Sequence, residues 1–180
     1  PELKVGKFRL ADVLRDAADM SRPRTEPFYW RNARYNNSNQ PVVGVNLWEA
    51  TAYCKWLQIR LQKLKEIGPD ATIRLPTEWE WERMSRGTKH RSTFPWGEAA
   101  LTSDYAHTRA DGLALDFAAP VGCFPLGRTD HDVYDAAGNV WEWTISQALP
   151  PEPEWDEARR DISDVVDVVV RGGSWFSNEP

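Results

Sequence analysis

The ten residues from Asp135 to Thr144 read D-A-A-G-N-V-W-E-W-T. Two tryptophans, two carboxylates, an asparagine and a glycine share this one stretch. Surface loops rarely commit that much aromatic area, and helices rarely carry Gly-Asn at their middle. The oxygen-bearing groups are spaced to surround something: Asp135 and Glu142 supply carboxylates, and the carbonyls of Gly138 and Val140 fall between them. A hard cation such as calcium takes about six to eight oxygens, backbone carbonyls included, from a loop that folds back on itself. The stretch is therefore expected to be pinned by calcium. The alternative is an ordinary turn whose tryptophans enter the core and whose acids stay solvated.

The rest of the composition fits one globular domain over residues 1–180, with 41% hydrophobic residues and ten tryptophans against two methionines. Rigid rings favour a fixed core with little helix and much irregular backbone, and an indole also suits a binding surface. A net charge of −5 argues against nucleic-acid partners, which need a basic face. Cys54 and Cys123 are too few for a disulfide framework. No signal-peptide pattern and no apolar run of membrane-spanning length is visible, which favours a cytoplasmic location and no membrane partner. The chain begins without Met and ends at Ser177-Asn-Glu-Pro, and is expected to be incomplete at both ends.

Along the chain, Phe8 to Met20 has the spacing of an amphipathic helix, ended by Pro23. Residues 23–41 form a long polar loop with Phe28, Tyr29 and Trp30 as anchors. Pro41 to Val45 reads as a short strand. Asn46 and Glu49 then form a capping box for a helix that closes at Gly68-Pro69. Its apolar residues lie on two lines, Trp48, Ala52 and Trp56, then Tyr53, Leu57, Leu61 and Leu64, with Cys54 in the core. Thr77 and Glu80 cap a second helix that Gly87 stops. The alternate spacing of Glu78, Glu80 and Glu82 scatters them around this helix, so solvated or capping roles are expected.

Thr93 to Gly97 is a tight aromatic turn, and residues 98–119 are irregular. Asp104, His107, Asp111 and Asp116 there leave room for a second cation site. His90, His107 and His131 lack ligand spacing, so no zinc or iron triad is expected. Pro120 to Pro125 reads as extended, with Cys123 a half-buried strand residue. Residues 147–164 read as an exposed acidic excursion. Val165 to Val170 is a strand, continued by a Gly172-Gly173 pair that marks a bulge or a close backbone approach.

Five segments stand in order: Pro41-Val-Val-Gly-Val-Asn-Leu-Trp-Glu-Ala-Thr-Ala-Tyr-Cys-Lys-Trp-Leu, Arg74-Leu-Pro-Thr-Glu-Trp-Glu-Trp-Glu, Phe94-Pro-Trp-Gly, Val133-Tyr-Asp-Ala-Ala-Gly-Asn-Val-Trp-Glu-Trp-Thr and Val170-Arg-Gly-Gly-Ser-Trp-Phe. Together they resemble the formylglycine-generating enzyme, or sulfatase-modifying factor, family over a core of residues 41–177, with residues 1–40 as an N-terminal helix and loop. The loop before Pro41 is similar to that of bacterial members. The resemblance implies an α+β, C-type-lectin-like fold of short twisted antiparallel sheets, two main helices and much irregular backbone.

The resemblance also implies site residues. Calcium ligands fall on Asp135, Gly138, Val140 and Glu142, and a weaker second site on His107, Thr108, Asp111 and Asp116. The family's oxygen pocket maps onto Trp141 and Ser174, and its first catalytic cysteine onto Ser177. Cuprous copper needs soft thiolates, and exchange with a substrate cysteine needs a thiol, so copper and catalysis are not expected here. The leading expectation is a non-catalytic module that binds a protein or small-molecule ligand through a loop-rich face, as in the variable proteins of diversity-generating retroelements. The alternatives are a copper- and oxygen-dependent oxidase of a sulfatase cysteine, and the C-terminal domain of an iron-dependent sulfoxide synthase.

Overall fold

The computed structural model describes residues 6–9, 25–87, 92–110, 112, 115–147 and 167–178. Three short strands form one antiparallel sheet: β1 (Gly6–Arg9), β2 (Glu142–Gln147) and β3 (Asp167–Arg171). Their order is β1-β3-β2, so the last strand in the chain is the central one. The β-branched run Val168, Val169 and Val170 suits that position, and all three are buried. Phe8 pairs with Val168 and Arg9 with Asp167. These two residues are therefore strand, not the start of a helix, because β3 offers them a partner edge. The remainder of that expected helix, residues 10–20, lies outside the described residues, as does most of the acidic stretch 147–164.

Strand β2 was hidden in the sequence behind Gly138-Asn139. Its register runs Glu142↔Arg171, Trp143↔Val170 and Gln147↔Val168, with an irregularity between Trp143 and Gln147. The irregularity turns backbone toward the second helix. Ile145 N donates to Pro76 O at 3.0 Å, and Glu78 N donates to Ser146 Oγ at 2.8 Å. Thr144 Oγ1 donates to Val169 O at 2.7 Å, which keeps this fully buried hydroxyl satisfied.

Helix α1 (Leu47–Lys63) and helix α2 (Glu78–Arg86) begin as their cap residues dictate. Asn46 Oδ1 accepts from Glu49 N at 2.9 Å while Glu49 returns a carboxylate to Asn46 N at 2.8 Å. Thr77 and Glu80 repeat the arrangement, and Gly87 ends α2. Helix α1 ends at Lys63, short of Gly68-Pro69, since Lys65 already takes a left-handed φ of 59°. Leu47 packs against Val168, with Leu75 and Trp143 beside them. Trp48, Tyr53, Trp56 and Ile59 of α1 are exposed, as is Leu64 just past its end. Cys54 is partly buried, and burial pushes its thiol up.

The loops carry the remaining order. Pro41 to Val45 pairs with no strand among the described residues, although Phe28 N reaches Gly44 O at 3.0 Å. Pro120 to Pro125 is a turn leading into a single 3-10 turn (Pro125–Gly127), and Cys123 is exposed, not half-buried in a strand. The 93–97 turn forms as expected. Phe94 and Gly97 exchange both backbone hydrogen bonds, and Phe94, Trp96 and Tyr105 stack at 4.9 and 5.0 Å. This α+β arrangement of two helices and a short antiparallel sheet surrounds much irregular backbone. Among the described residues no helix is long and apolar enough to cross a membrane.

Candidate functional site

The stretch after Tyr134 folds back on itself because three of its residues adopt left-handed backbone: Asp135 (φ 59°), Gly138 (φ 77°) and Asn139 (φ 61°). Asn and Asp tolerate that region better than other side chains, and Gly138 has no alternative there. A Cβ on Gly138 would stand 2.5 Å from His107 O and 2.8 Å from a Thr108 methyl. Gly138 N donates to Gly172 O at 2.6 Å, so the loop closes directly on the end of β3.

Asn139 is the clamp of this loop. It is 1% exposed, and its amide exchanges two hydrogen bonds with the Ala119 backbone, at 2.9 and 3.3 Å. Its own backbone N–H donates to His107 O at 2.8 Å, and its carbonyl accepts from Trp175 N at 3.0 Å. Three other segments, at His107, Ala119 and Trp175, thus meet on this one residue. The sequence singled out the residue type but not this role.

Asp135 and Glu142 stand at the two ends of the fold-back. Burial pushes both carboxyl groups up from their ordinary range. The Gly122 N–H, 2.7 Å from Asp135 Oδ2, and the nearby His107 partly offset this for Asp135. For Glu142 the offset is the Trp81 indole N–H, 2.6 Å from Oε2, while the Asp135 charge raises it further. The two carboxylates therefore sense each other. Two carbonyls of the fold-back face Gly172: a Cβ there would stand 3.7 Å from Val140 O and 3.9 Å from Ala136 O. The groups gathered here are carboxylate and carbonyl oxygens, the donor type that a hard cation takes, although no cluster of three or more acidic, histidine or cysteine side chains placed to hold a metal occurs among the described residues.

The Arg171 guanidinium does not fill that role. Arg171 lies opposite Glu142 in the sheet and is 4% exposed. It is held instead by Glu78 and Glu82, each at 3.5 Å, over the face of Trp81 at 5.1 Å. This corrects the expectation that the α2 acids are scattered. Glu78 and Glu82 are one helical turn apart and converge on Arg171. Glu80 alone keeps the capping role.

The side chains of the second group of candidate ligands have the following surroundings. His107 places Nε2 2.9 Å from Phe117 O and stacks on Phe124 at 5.9 Å. Thr108 Oγ1 accepts from Ala110 N at 3.3 Å, and Asp116 pairs with Arg109 at 3.1 Å on the surface. Asp111 lies outside the described residues.

Beyond β3 the chain makes a tight turn in which Ser177 N donates to Ser174 O at 2.9 Å. The hydroxyls of Ser174 and Ser177 are 3.2 Å apart and share a hydrogen bond. Arg109 N fixes the turn by donating to Ser177 O at 2.9 Å, and its guanidinium covers the exposed Phe176 ring at 3.8 Å. Trp141 sits half-buried one residue before β2. Neither cysteine belongs to this turn, whose side-chain donors are the Ser174 and Ser177 hydroxyls. From Trp175, rings continue through Tyr35 (6.0 Å) and Tyr29 (5.2 Å) to the exposed Phe28 (4.9 Å).

Comparison with known proteins places these features in a family. A model of the sulfatase-modifying factor enzyme 1-like domain matches residues 8–180, further toward the N-terminus than the 41–177 core marked by the motifs. The chain is 36% identical over 115 residues to hercynine oxygenase of Mycolicibacterium thermoresistibile, which covers 62% of this chain and 22% of that protein. It is 33% identical over 148 residues to inactive C-alpha-formylglycine-generating enzyme 2 of Bos taurus, covering 76% and 38%. It is 36% identical over 169 residues to formylglycine-generating enzyme of Thermomonospora curvata, covering 78% and 46%. The chain thus spans less than half the length of these relatives. Among solved structures, Treponema denticola variable protein 1 superposes with a TM-score of 0.59 at 21% identity, covering 85% of this chain and 67% of that one. PvdO from Pseudomonas aeruginosa gives 0.56 at 24%, covering 78% and 52%. Those two likenesses are of fold. With the five motifs in order and the family model matched over nearly the whole length, the chain belongs to the sulfatase-modifying factor enzyme 1-like family.

Proposed function

We propose that this domain is a non-catalytic binding module whose scaffold is fixed by calcium and whose loops meet a protein or small-molecule ligand. The observation that carries the reading is the Ser174–Ser177 hydroxyl pair at 3.2 Å. Formylglycine formation in this family calls for a thiolate at position 177. A serine hydroxyl, protonated at neutral pH, neither binds cuprous copper well nor exchanges with a substrate thiol. The likeness to a relative named as an inactive formylglycine-generating enzyme is in keeping with this.

Calcium, when bound, would neutralise Asp135 and Glu142 and draw the carbonyls of Gly138 and Val140 into one shell. That would set the Asn139 carbonyl, and through it the Trp175 N–H of the neighbouring turn. The ligand face then lies where the loop rings surface: Phe28, Tyr29, Trp30 and Phe176, all exposed. Aromatic side chains presented by loops on a rigid frame give large contact area with few rotors to order.

The test is turnover. Incubation with cuprous copper, oxygen and a cysteine-containing sulfatase peptide should leave the cysteine unchanged by mass spectrometry. Conversion to formylglycine with Ser177 in place would overturn the proposal. A second reading is favoured by the identity to hercynine oxygenases: one domain of a larger iron-dependent oxygenase. It predicts that the chain, supplied with ferrous iron, oxygen, hercynine and a thiol, completes a sulfoxide synthesis only together with further protein. The binding reading predicts no such complementation.

A further inference from the structure

Trp81 touches the candidate calcium loop from outside, from a helix that supplies none of its ligands. It is 4% exposed. Its indole N–H donates to Glu142 Oε2 at 2.6 Å, the short distance of a hydrogen bond to an ionised acceptor. Cζ2 of the same ring, on the side of the N–H, lies 3.4 Å from the position a Cβ on Gly172 would take, which also faces Val140 O. One side chain therefore abuts both a ligand carboxylate and the space beside a ligand carbonyl.

Behind the ring stands Arg171, 5.1 Å from its centroid. Nε and Nη2 of this buried guanidinium have no hydrogen-bond partner among the described residues, and the carboxylates of Glu78 and Glu82 hold it at 3.5 Å. A cation over an indole face withdraws electron density from the ring and makes its N–H a stronger donor. The arrangement also settles a conflict. Arg171 faces Glu142 across the sheet, and a direct ion pair would neutralise the carboxylate that a cation needs. With Glu78 and Glu82 holding Arg171 on the α2 side, the group that reaches Glu142 from this side is the neutral Trp81 N–H, which leaves the carboxylate's charge available.

We infer that Trp81, backed by Arg171, is a positioning residue for calcium: it fixes the Glu142 carboxylate through Oε2 and leaves Oε1 for the cation. The inference rests on the calcium reading above and extends it to helix α2. Trp81→Phe keeps most of the ring and removes the donor. Isothermal titration of the metal-free chain with calcium chloride should give a dissociation constant roughly 10- to 100-fold weaker than for the parent protein, the value of a hydrogen bond to a charged group. Unfolding of the two proteins in EDTA should differ far less than unfolding in calcium. A purely packing role would lower both alike.

In the parent protein, the Trp81 indole N–H resonance, identified through its contact with Gly172, should shift along the same calcium isotherm. This reading survives even if the Phe variant does not fold. Equal calcium affinity in parent and variant, or an indole resonance indifferent to calcium, would overturn the positioning role and leave the calcium site standing. A parent chain that binds no calcium would sink both.

Discussion

Glu80 answers three partners at once. Its carboxylate caps Thr77 N at 2.8 Å and takes both Arg74 nitrogens, at 2.7 and 2.8 Å. The Arg74 hydrogen bonds are the main reason its carboxyl falls from 4.5 to about 2. A carboxyl depressed in the folded state stabilises fully above its unfolded value and loses that contribution as pH falls through its folded value. The stability difference between the parent protein and Glu80→Gln should therefore be constant above pH 4.5 and shrink toward nothing near pH 2. Urea midpoints at stepped pH would measure it; the group is half exposed, so solvent screens the effect and it is small.

Gly138→Ala should be harsher. Its new methyl meets His107 O in a backbone already at φ 77°, and about 2 kcal/mol or more should be lost in urea denaturation. At this scale the sequence showed which residues carry oxygen, because Asp135, Gly138, Val140 and Glu142 lie within one short stretch. It did not show Asn139 as a clamp or Trp81 as a donor. Their partners stand 20 and 61 residues away, and only the fold brings them near.

Both helix starts were legible, since a capping box is written in four consecutive residues and answers to no distant partner. Asn46→Ala and Thr77→Ala should each lower stability by about 1 kcal/mol, read as a shift of the denaturant midpoint without a change of slope. The strands behaved differently. The valine run of β3 announced itself, whereas Phe8-Arg9 and Glu142–Gln147 became strands because β3 pairs with them on either side. Strand preference depends on neighbours more than on the residues themselves. The α2 acids make the same point for helices. Glu78 and Glu80 point apart, while Glu78 and Glu82 share a face, and the reason they matter, Arg171, comes from the far end of the chain.

For the molecule as a whole, the calcium reading predicts linkage between metal and folding. A cation bound by the folded chain alone stabilises it by about 2.7 kcal/mol at a hundredfold excess over its dissociation constant. Calorimetric scans should show Tm rising with added calcium and falling with EDTA. An unchanged Tm would remove calcium from the account, and the Ser174–Ser177 turn would have to be held by Asn139 and Arg109 alone.

The order β1-β3-β2 also sets a timetable for synthesis. As the ribosome extrudes this chain, both helices and two of the three strands emerge before the strand that joins them. Until Asp167–Arg171 clears the exit tunnel, β1 and β2 have no common neighbour, and the apolar side of Leu47 and Trp143 lacks its lid of valines. A nascent chain of this kind should lean on chaperones late, and a stop codon just before Asp167, which removes the strand that joins β1 to β2, should give aggregates in a sedimentation assay.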